Sequence, residues 1–247
     1  MIMKKAIVVG ATSGIGREVA IALLKEGWQV GVAGRREEAL KTLQAMDPER
    51  VFIQALDVTH ENAPDRLQLL IDRVGGMDLF LLSSGIGKQN PELNPAIEIP
   101  IFETNATGFG RMVVAAYHYF KRQGKGHIAV ISSIAGTMGL GSSPAYSATK
   151  RLQNTYIEAL EQLARMEQLK ICFTDIRPGF VKTAILDDQH KYPMLMQPDR
   201  VAKKIVKAIN RQKKVVIIDW RYAVLVAFWR LIPRWLWIRL TIKSKHE

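Results

Sequence analysis

Residues 7–20, "IVVGATSGIGREVA", run an apolar stretch into a glycine-rich loop and then into an amphipathic segment. Gly10, Gly14 and Gly16 stand between the two. Glycines permit a tight turn and a close approach of backbone to phosphate. The helix that follows offers unpaired N–H groups and a positive dipole end to a pyrophosphate. The spacing is G-x-x-x-G-x-G rather than G-x-G-x-x-G. Its place after a first strand and at the opening of a helix makes it a nucleotide-binding turn. The plain alternative is a tight strand–helix turn without a ligand.

Outward from this loop, short β-rich apolar runs alternate with longer amphipathic ones. The predicted strands are Lys5–Val9, Gln29–Ala33, Val51–Leu56, Leu79–Leu82, His127–Ser132, Lys170–Ile176 and Val215–Ile218, with helices such as Gly16–Lys25 and Glu37–Ala45 between them. Near-continuous Val/Ile/Leu runs belong to strands covered on both faces. The expected fold is therefore α/β: a doubly wound parallel sheet of about seven strands, of Rossmann type, with right-handed crossovers. Residues 1–219 form the expected catalytic domain, and 220–247 a hydrophobic, basic C-terminal extension.

A chain of 247 residues can bury one large α/β core, and 48% hydrophobic with 23% charged residues is globular composition. One cysteine, Cys172, excludes an internal disulfide and suits a reducing compartment. The five histidines show no metal-ligand spacing, so no metal is expected. The apolar run at the N-terminus is shorter than a signal peptide and reads as the first strand, which points to the cytoplasm. The net charge of +12 is uneven: from Arg211 onward nine Lys/Arg face two acids, leaving +5 on the other 210 residues. Basic residues gathered beside tryptophans favour a lipid surface over nucleic acid.

The second strand ends "VGVAGRREEAL". No acid stands at its tip to hold ribose hydroxyls; Arg35 and Arg36 stand there instead, and guanidinium suits a 2′-phosphate. NADP(H) is therefore expected over NAD(H), with Arg35 the main contact, Arg36 either a second contact or a solvated helix start, and Ser13 a further hydroxyl partner. Asp57, after the third strand, is placed to accept from the adenine amine or to cap a helix.

"PAYSATK" sets Tyr146 four residues before Lys150, on one helix face. Pro144 fits a first helical turn, capped by Ser142 or Ser143. A neighbouring ammonium and the helix dipole both favour a phenolate, lowering a pKa normally near ~10.

These segments together resemble the short-chain dehydrogenases/reductases from Lys4 to about Ile218. The family's T-G-x-x-x-G-x-G appears as Val9-Gly10-Ala11-Thr12-Ser13-Gly14-Ile15-Gly16, with Val9 replacing the threonine. Its N-N-A-G appears as Ser83-Ser84-Gly85-Ile86, serines replacing both asparagines. "FETNATG" supplies Asn105, "IAVISSIAG" the serine, and "DIRPGFVKTAI" the Pro-Gly turn and threonine. The resemblance implies Tyr146 as general acid/base. It makes Lys150 the residue that tunes Tyr146 and holds the nicotinamide ribose, and Asn105 the residue that shapes its helix and holds a water near the lysine. The serine polarises the substrate oxygen. Of Ser132 and Ser133, the family's interval of thirteen residues to the tyrosine selects Ser133, and strand alternation lets one of the two reach the site. Cofactor contacts are implied at Thr12, Ile15, Val58, Ser84, Gly85, Pro178, Gly179, backbone at Val181, and Thr183. The segment 184–198, with Tyr192 and Met194 for substrate, occupies the position of the family's lid; apolar Met-rich surface suits a greasy carbonyl compound. The implied activity is reduction of a ketone, or oxidation of a secondary alcohol, in a homodimer or homotetramer. The alternative is an NADP-binding scaffold or sensor without turnover.

The tail, "WRYAVLVAFWRLIPRWLWIRLTIKSKHE", holds four of the five tryptophans, with arginines interrupting every apolar run and Pro233 breaking the helix. Spanning a membrane takes about 20 apolar residues. The expected role is peripheral contact with a membrane interface, or packing over the cleft or a subunit partner.

Overall fold

The computed structural model describes residues 3–186 and 192–240. Seven parallel strands form one sheet: β1 (Lys5–Val9), β2 (Gln29–Gly34), β3 (Val51–Ala55), β4 (Leu79–Leu82), β5 (Lys125–Ile131), β6 (Lys170–Pro178) and β7 (Val215–Ile218), in the spatial order β3-β2-β1-β4-β5-β6-β7. All seven expected strands are present. The order reverses direction of travel at β1, between β2 and β4, which opens a crevice at the carboxyl ends of the strands.

The apolar runs alternate by face. Ala6 and Val8 of β1 join one core, Ile7 and Val9 the other; Leu79 and Leu81 of β4 oppose Phe80 and Leu82 in the same way. Beyond Lys5, every residue of these two strands is thus buried, which is why they read as unbroken hydrophobic runs. One face is covered by α1 (Gly14–Lys25), α2 (Glu37–Gln44) and α7 (Pro198–Asn210), through residues such as Val19, Leu40 and Ile205. The other is covered by α3 (Ala63–Val74), α5 (Phe109–Gln123) and α6 (Pro144–Met166), through Leu67, Phe120 and Ile157.

Two departures from regular helix lie at the crevice. A π-helical turn, Glu103–Gly108, joins α4 (Pro95–Phe102) to α5, and a 3₁₀ turn, Ile134–Thr137, follows β5. π turns inside α-helices are rare and recur at functional sites. After β7 the chain continues into α8 (Trp220–Trp229) and, beyond Pro233, α9 (Arg234–Trp237).

Candidate active site

The glycine turn is built by close backbone approach. Gly10 has φ +91°, and a Cβ there would stand 2.5 Å from the Ser84 nitrogen; one on Gly16 would stand 2.3 Å from the Gly10 oxygen. The Ala33 carbonyl accepts from Gly10 and Ala11 N–H at 2.8 and 3.0 Å, and the Val9 carbonyl accepts from Ser83 N–H at 2.8 Å. These bonds brace the loop where Val9 replaces a hydroxyl. α1 opens at Gly14 and Ile15 with Ser13 extended before it, the Ser13 hydroxyl making no cap bond. Thr183 lies across the loop, its Cγ2 3.0 Å from where a Gly14 Cβ would stand.

At the tip of β2, Arg36 Nη2 donates to Thr12 Oγ1 at 3.1 Å, drawing that guanidinium against the glycine loop. Arg35 is exposed, with Nη1 4.0 Å from Asp57 Oδ2. Asp57 accepts from Thr59 N–H at 3.0 Å and from its hydroxyl at 2.8 Å. Burial would raise its carboxyl, but the two Thr59 bonds and the Arg35 charge outweigh it and hold it below the usual carboxylate range. Asp57 closes a local turn and caps no helix; Asn62 holds that position before α3. The buried Val58 packs toward Gly108, and its carbonyl accepts from Arg111 at 2.9 Å.

The adjacent serines point to different partners. Ser132 binds the carboxylate of Asp175 and receives a 2.9 Å bond from Asn154, while Asp175 pairs with Arg177 at 2.7 Å. This buried network is spoken for. Ser133, one residue on, accepts from Ala135 N–H at 3.1 Å, and its hydroxyl lies beside the Tyr146 phenol.

Tyr146 lies in the first turn of α6. Ser143 occupies the N-cap position, but its hydroxyl makes no cap bond. The expected serine cap is replaced by Glu98 of α4, whose carboxylate accepts from Ala145 N–H at 3.0 Å. A second expectation is also corrected. Burial raises the Tyr146 phenol, the neighbouring Ser133 hydroxyl opposes it, and the net direction is upward rather than down. The reason is where the lysine points. Lys150 Nζ lies 5.7 Å from the Tyr146 ring centroid, and donates instead to the Ile131 carbonyl at 3.1 Å and to Gln153 Oε1 at 3.0 Å. Burial pushes Lys150 itself down to about 8, against the opposing charge of Asp175.

Asn105 is fully buried in the π turn. Its side chain accepts from Ile86 N–H at 2.9 Å and donates to the Ile86 carbonyl at 2.7 Å and to Thr149 at 3.3 Å. It thus clamps the loop after β4, where the sequence runs Ser83–Ile86, and presses Gly85 toward the Lys150 ammonium. The Asn105 carbonyl accepts from Gln153 Nε2 at 2.9 Å. A side-chain amide, that of Gln153, thus links Asn105 to Lys150. Gln153 carries no motif. Its one sequence signal is its place three residues beyond Lys150, on the same helix face.

Pro178 ends β6, and Gly179 packs on the Tyr222 ring, 2.3 Å from where its Cβ would stand. Val181 pairs with Met196 through bonds carried by Phe180 O and Lys182 N, so its own amide faces away from Met196, as strand alternation requires. Tyr192 stacks on Phe180 at 4.8 Å; Met194, at φ +53°, packs against the core beside it. Residues 187–191 of the expected lid lie outside the described residues. Tyr222 of α8 donates to the Pro193 carbonyl at 2.7 Å and accepts from Phe180 N–H at 3.2 Å. Trp237 of α9 donates to the Gly139 carbonyl at 2.7 Å. The tail is therefore tied to the segment after β6 and to the loop before α6. Among the described residues no group of His, Cys, Asp and Glu could hold a metal, and no helix is long and apolar enough to cross a membrane.

A parallel sheet with a glycine turn after β1 and polar groups gathered at its carboxyl edge defines a Rossmann-type α/β protein. The model of the short chain dehydrogenase family matches residues 4–192. An uncharacterized oxidoreductase of Myxococcus xanthus is 32% identical over 243 residues, covering 94% of each chain. The solved actinorhodin polyketide ketoreductase with NADPH is 26% identical, with TM-score 0.77 over 87% of this chain and 95% of that one. ElxO with NADP bound, 23% identical, superposes with TM-score 0.79 over 90% of this chain and 100% of that one. The chain belongs to the short-chain dehydrogenase family. It is an oxidoreductase acting on CH–OH/C=O groups, in a family that binds nicotinamide cofactors and acts on small molecules.

Proposed function

We infer that the chain is an NADP(H)-dependent carbonyl reductase, also able to oxidise the corresponding secondary alcohol, for an apolar, lipid-like substrate of 3-oxoacyl, sphingoid or steroid type. The observation that carries this reading is the Tyr146 phenol in the first turn of α6, with the Ser133 hydroxyl beside it and the Lys150 ammonium 5.7 Å from its ring centroid.

The residues present fit the cofactor. The glycine loop brings backbone where a Cβ would clash, α1 presents its N-terminus behind it, and two guanidiniums flank it. Gly10–Gly16 and α1 would hold the pyrophosphate, Arg35 and Arg36 the 2′-phosphate, and Asp57 the adenine amine. Ser84, Gly85, Gly179, Val181 and Thr183 would border the nicotinamide half. When bound, the nicotinamide supplies or takes the hydride. The chain's own residues manage the oxygen. Ser133 donates to the carbonyl oxygen as charge builds there, and Tyr146 gives it the proton. A phenol kept protonated by burial is suited to that donation. Lys150 holds positive charge near the phenolate that remains.

Three further readings accompany this one. Phe180, Tyr192 and Met194 give the lid its apolar character. Exposed Leu152, Leu163 and Met166 on α6 support pairing with a second copy. Exposed Trp220, Phe228, Leu231, Trp235 and Ile238, interleaved with Arg221, Arg230, Arg234 and Arg239, support peripheral contact with a membrane interface.

Replacing Tyr146→Phe tests the core of the reading. NADPH oxidation with any accepted ketone should be lost, while NADPH still binds by fluorescence titration. Unchanged turnover refutes it, and loss of all carbonyl turnover in the parent chain would return the protein to a silent nucleotide-binding role.

A further inference from the structure

We propose that Gln153 is a positioning residue of the site: it ties the Lys150 ammonium to the backbone carbonyl of Asn105 and so fixes both where Lys150 points and how firmly it keeps its proton. This rests on the reading of Tyr146 and Lys150 as the proton-donating pair.

The geometry is a short, dry chain. Lys150 Nζ donates to Gln153 Oε1 at 3.0 Å, and Gln153 Nε2 donates to the Asn105 carbonyl at 2.9 Å. Gln153, Lys150 and Asn105 are 1%, 4% and 0% exposed, so water does not compete for these bonds. A primary amide has one accepting and one donating end, and both are used in the orientation each partner demands. Leu or Val at this helix position would pack as well, yet would leave a buried ammonium and a buried carbonyl each short of a partner. Such orphaned groups are costly.

Two consequences follow. With one N–H on the Ile131 carbonyl and one on Gln153, the ammonium has its third directed by elimination, towards the crevice side where Gly85 and the Tyr146 ring approach it. An amide also passes no proton while it stays an amide. The Gln153 bridge therefore holds Lys150 in place without itself relaying a proton.

The charged and titratable groups facing Lys150 are Tyr146 on its own helix and Asp175 on β6, the latter engaged by Arg177. An accepting oxygen at 153 favours the charged lysine in addition to these. Removing it should lower the lysine's proton affinity, and replacing it with a carboxylate should raise it. Gln153→Leu and Gln153→Glu are the paired variants, made in the full chain. The primary readout is the titration of Lys150 followed by NMR of isotopically labelled lysine, with Lys150→Arg giving the assignment. Lys150 should titrate lower in Gln153→Leu and higher in Gln153→Glu, by about one to two pH units each way, as expected for one hydrogen bond to a charged group. The basic limb of the pH profile for carbonyl reduction should move in the same two directions.

A residue that merely fills space would move both limbs alike or neither. Unmoved titrations, or shifts of the same sign, overturn the proposal; if Gln153→Leu does not fold, the sign of the Gln153→Glu shift decides. Should Tyr146→Phe turn over normally while Lys150 still responds to position 153, the parent reading fails and the positioning role stands.

Discussion

At the residue scale, the proposed choice of NADP(H) rests on two arginines. Arg36 is drawn against the glycine loop by its bond to Thr12, and Arg35 stands exposed beside Asp57. On the NADP(H) reading proposed above both guanidiniums would hold the 2′-phosphate, and charge-assisted bonds of this kind contribute about 1.5–3 kcal/mol each. Replacing both, Arg35→Ala with Arg36→Ala, should weaken NADPH binding by tenfold or more, by the usual conversion of about 1.4 kcal/mol per decade, and leave NADH nearly unchanged. Tighter binding of NADH than of NADPH by the unaltered chain would sink the argument. At this scale the sequence was legible where chemistry is tied to spacing. Tyr146 and Lys150 were readable because four residues make one helical turn. Ser133 is told from Ser132 by the family's interval of thirteen residues to the tyrosine; strand alternation says only that one of the two reaches the site. Gln153 was not readable: an isolated amide has no pattern, and only the fold shows that both its ends are engaged. The direction of the Tyr146 shift was misjudged for a related reason. Spacing shows which face a lysine shares, not which acceptors its ammonium chooses.

At the scale of elements, the strands were legible because a sheet covered on both faces demands unbroken apolar runs of a few residues, as in "LFLL" of β4. Their ends were less so; β5 begins two residues earlier than expected, at Lys125, because backbone pairing with β6 continues past the apolar run. How α6 starts was hidden for the same reason. Pro144 marks the first turn, but the carboxylate that takes the Ala145 N–H arrives from α4, 47 residues away in sequence. Removing an N-cap acceptor costs about 1 kcal/mol. Glu98→Ala should therefore lower Tm by about 2–4 °C for a chain of this size. Because Tyr146 lies in that same turn, kcat should fall more than KM rises. A variant with unaltered Tm by calorimetry would show that another group caps α6.

At the scale of the whole molecule, the composition shift after Asp219 was plain in the sequence, but which of its two roles applied was not. The structure divides the tail by face. Tyr222, Val226 and Trp237 are buried; Tyr222 hydrogen-bonds to the segment after β6 and Trp237 to the loop before α6. Trp220, Phe228, Leu231, Trp235 and Ile238 are exposed by more than half. An aqueous protein seldom leaves so many large apolar side chains together without a use for them. Alternating with arginines, they suit an interface of acyl chains below and anionic headgroups above. The same tail is anchored at Pro193 and at Gly139, which would fix its exposed face relative to the loops after β6 and before α6. Deleting the tail would disturb those anchors, so the sharper test changes the exposed face alone. The full chain should sediment with vesicles containing anionic lipid, more weakly as salt is raised. Phe228→Ser, Leu231→Ser and Trp235→Ser together should reduce that partitioning by tenfold or more, at about 0.8 kcal/mol per CH₂ no longer inserted. Turnover of a short, water-soluble ketone should stay unchanged, while that of a vesicle-borne ketone falls. Equal partitioning of the two proteins would remove the membrane from the account and leave the exposed face to a second copy of the chain, which the mass measured by light scattering would then reveal.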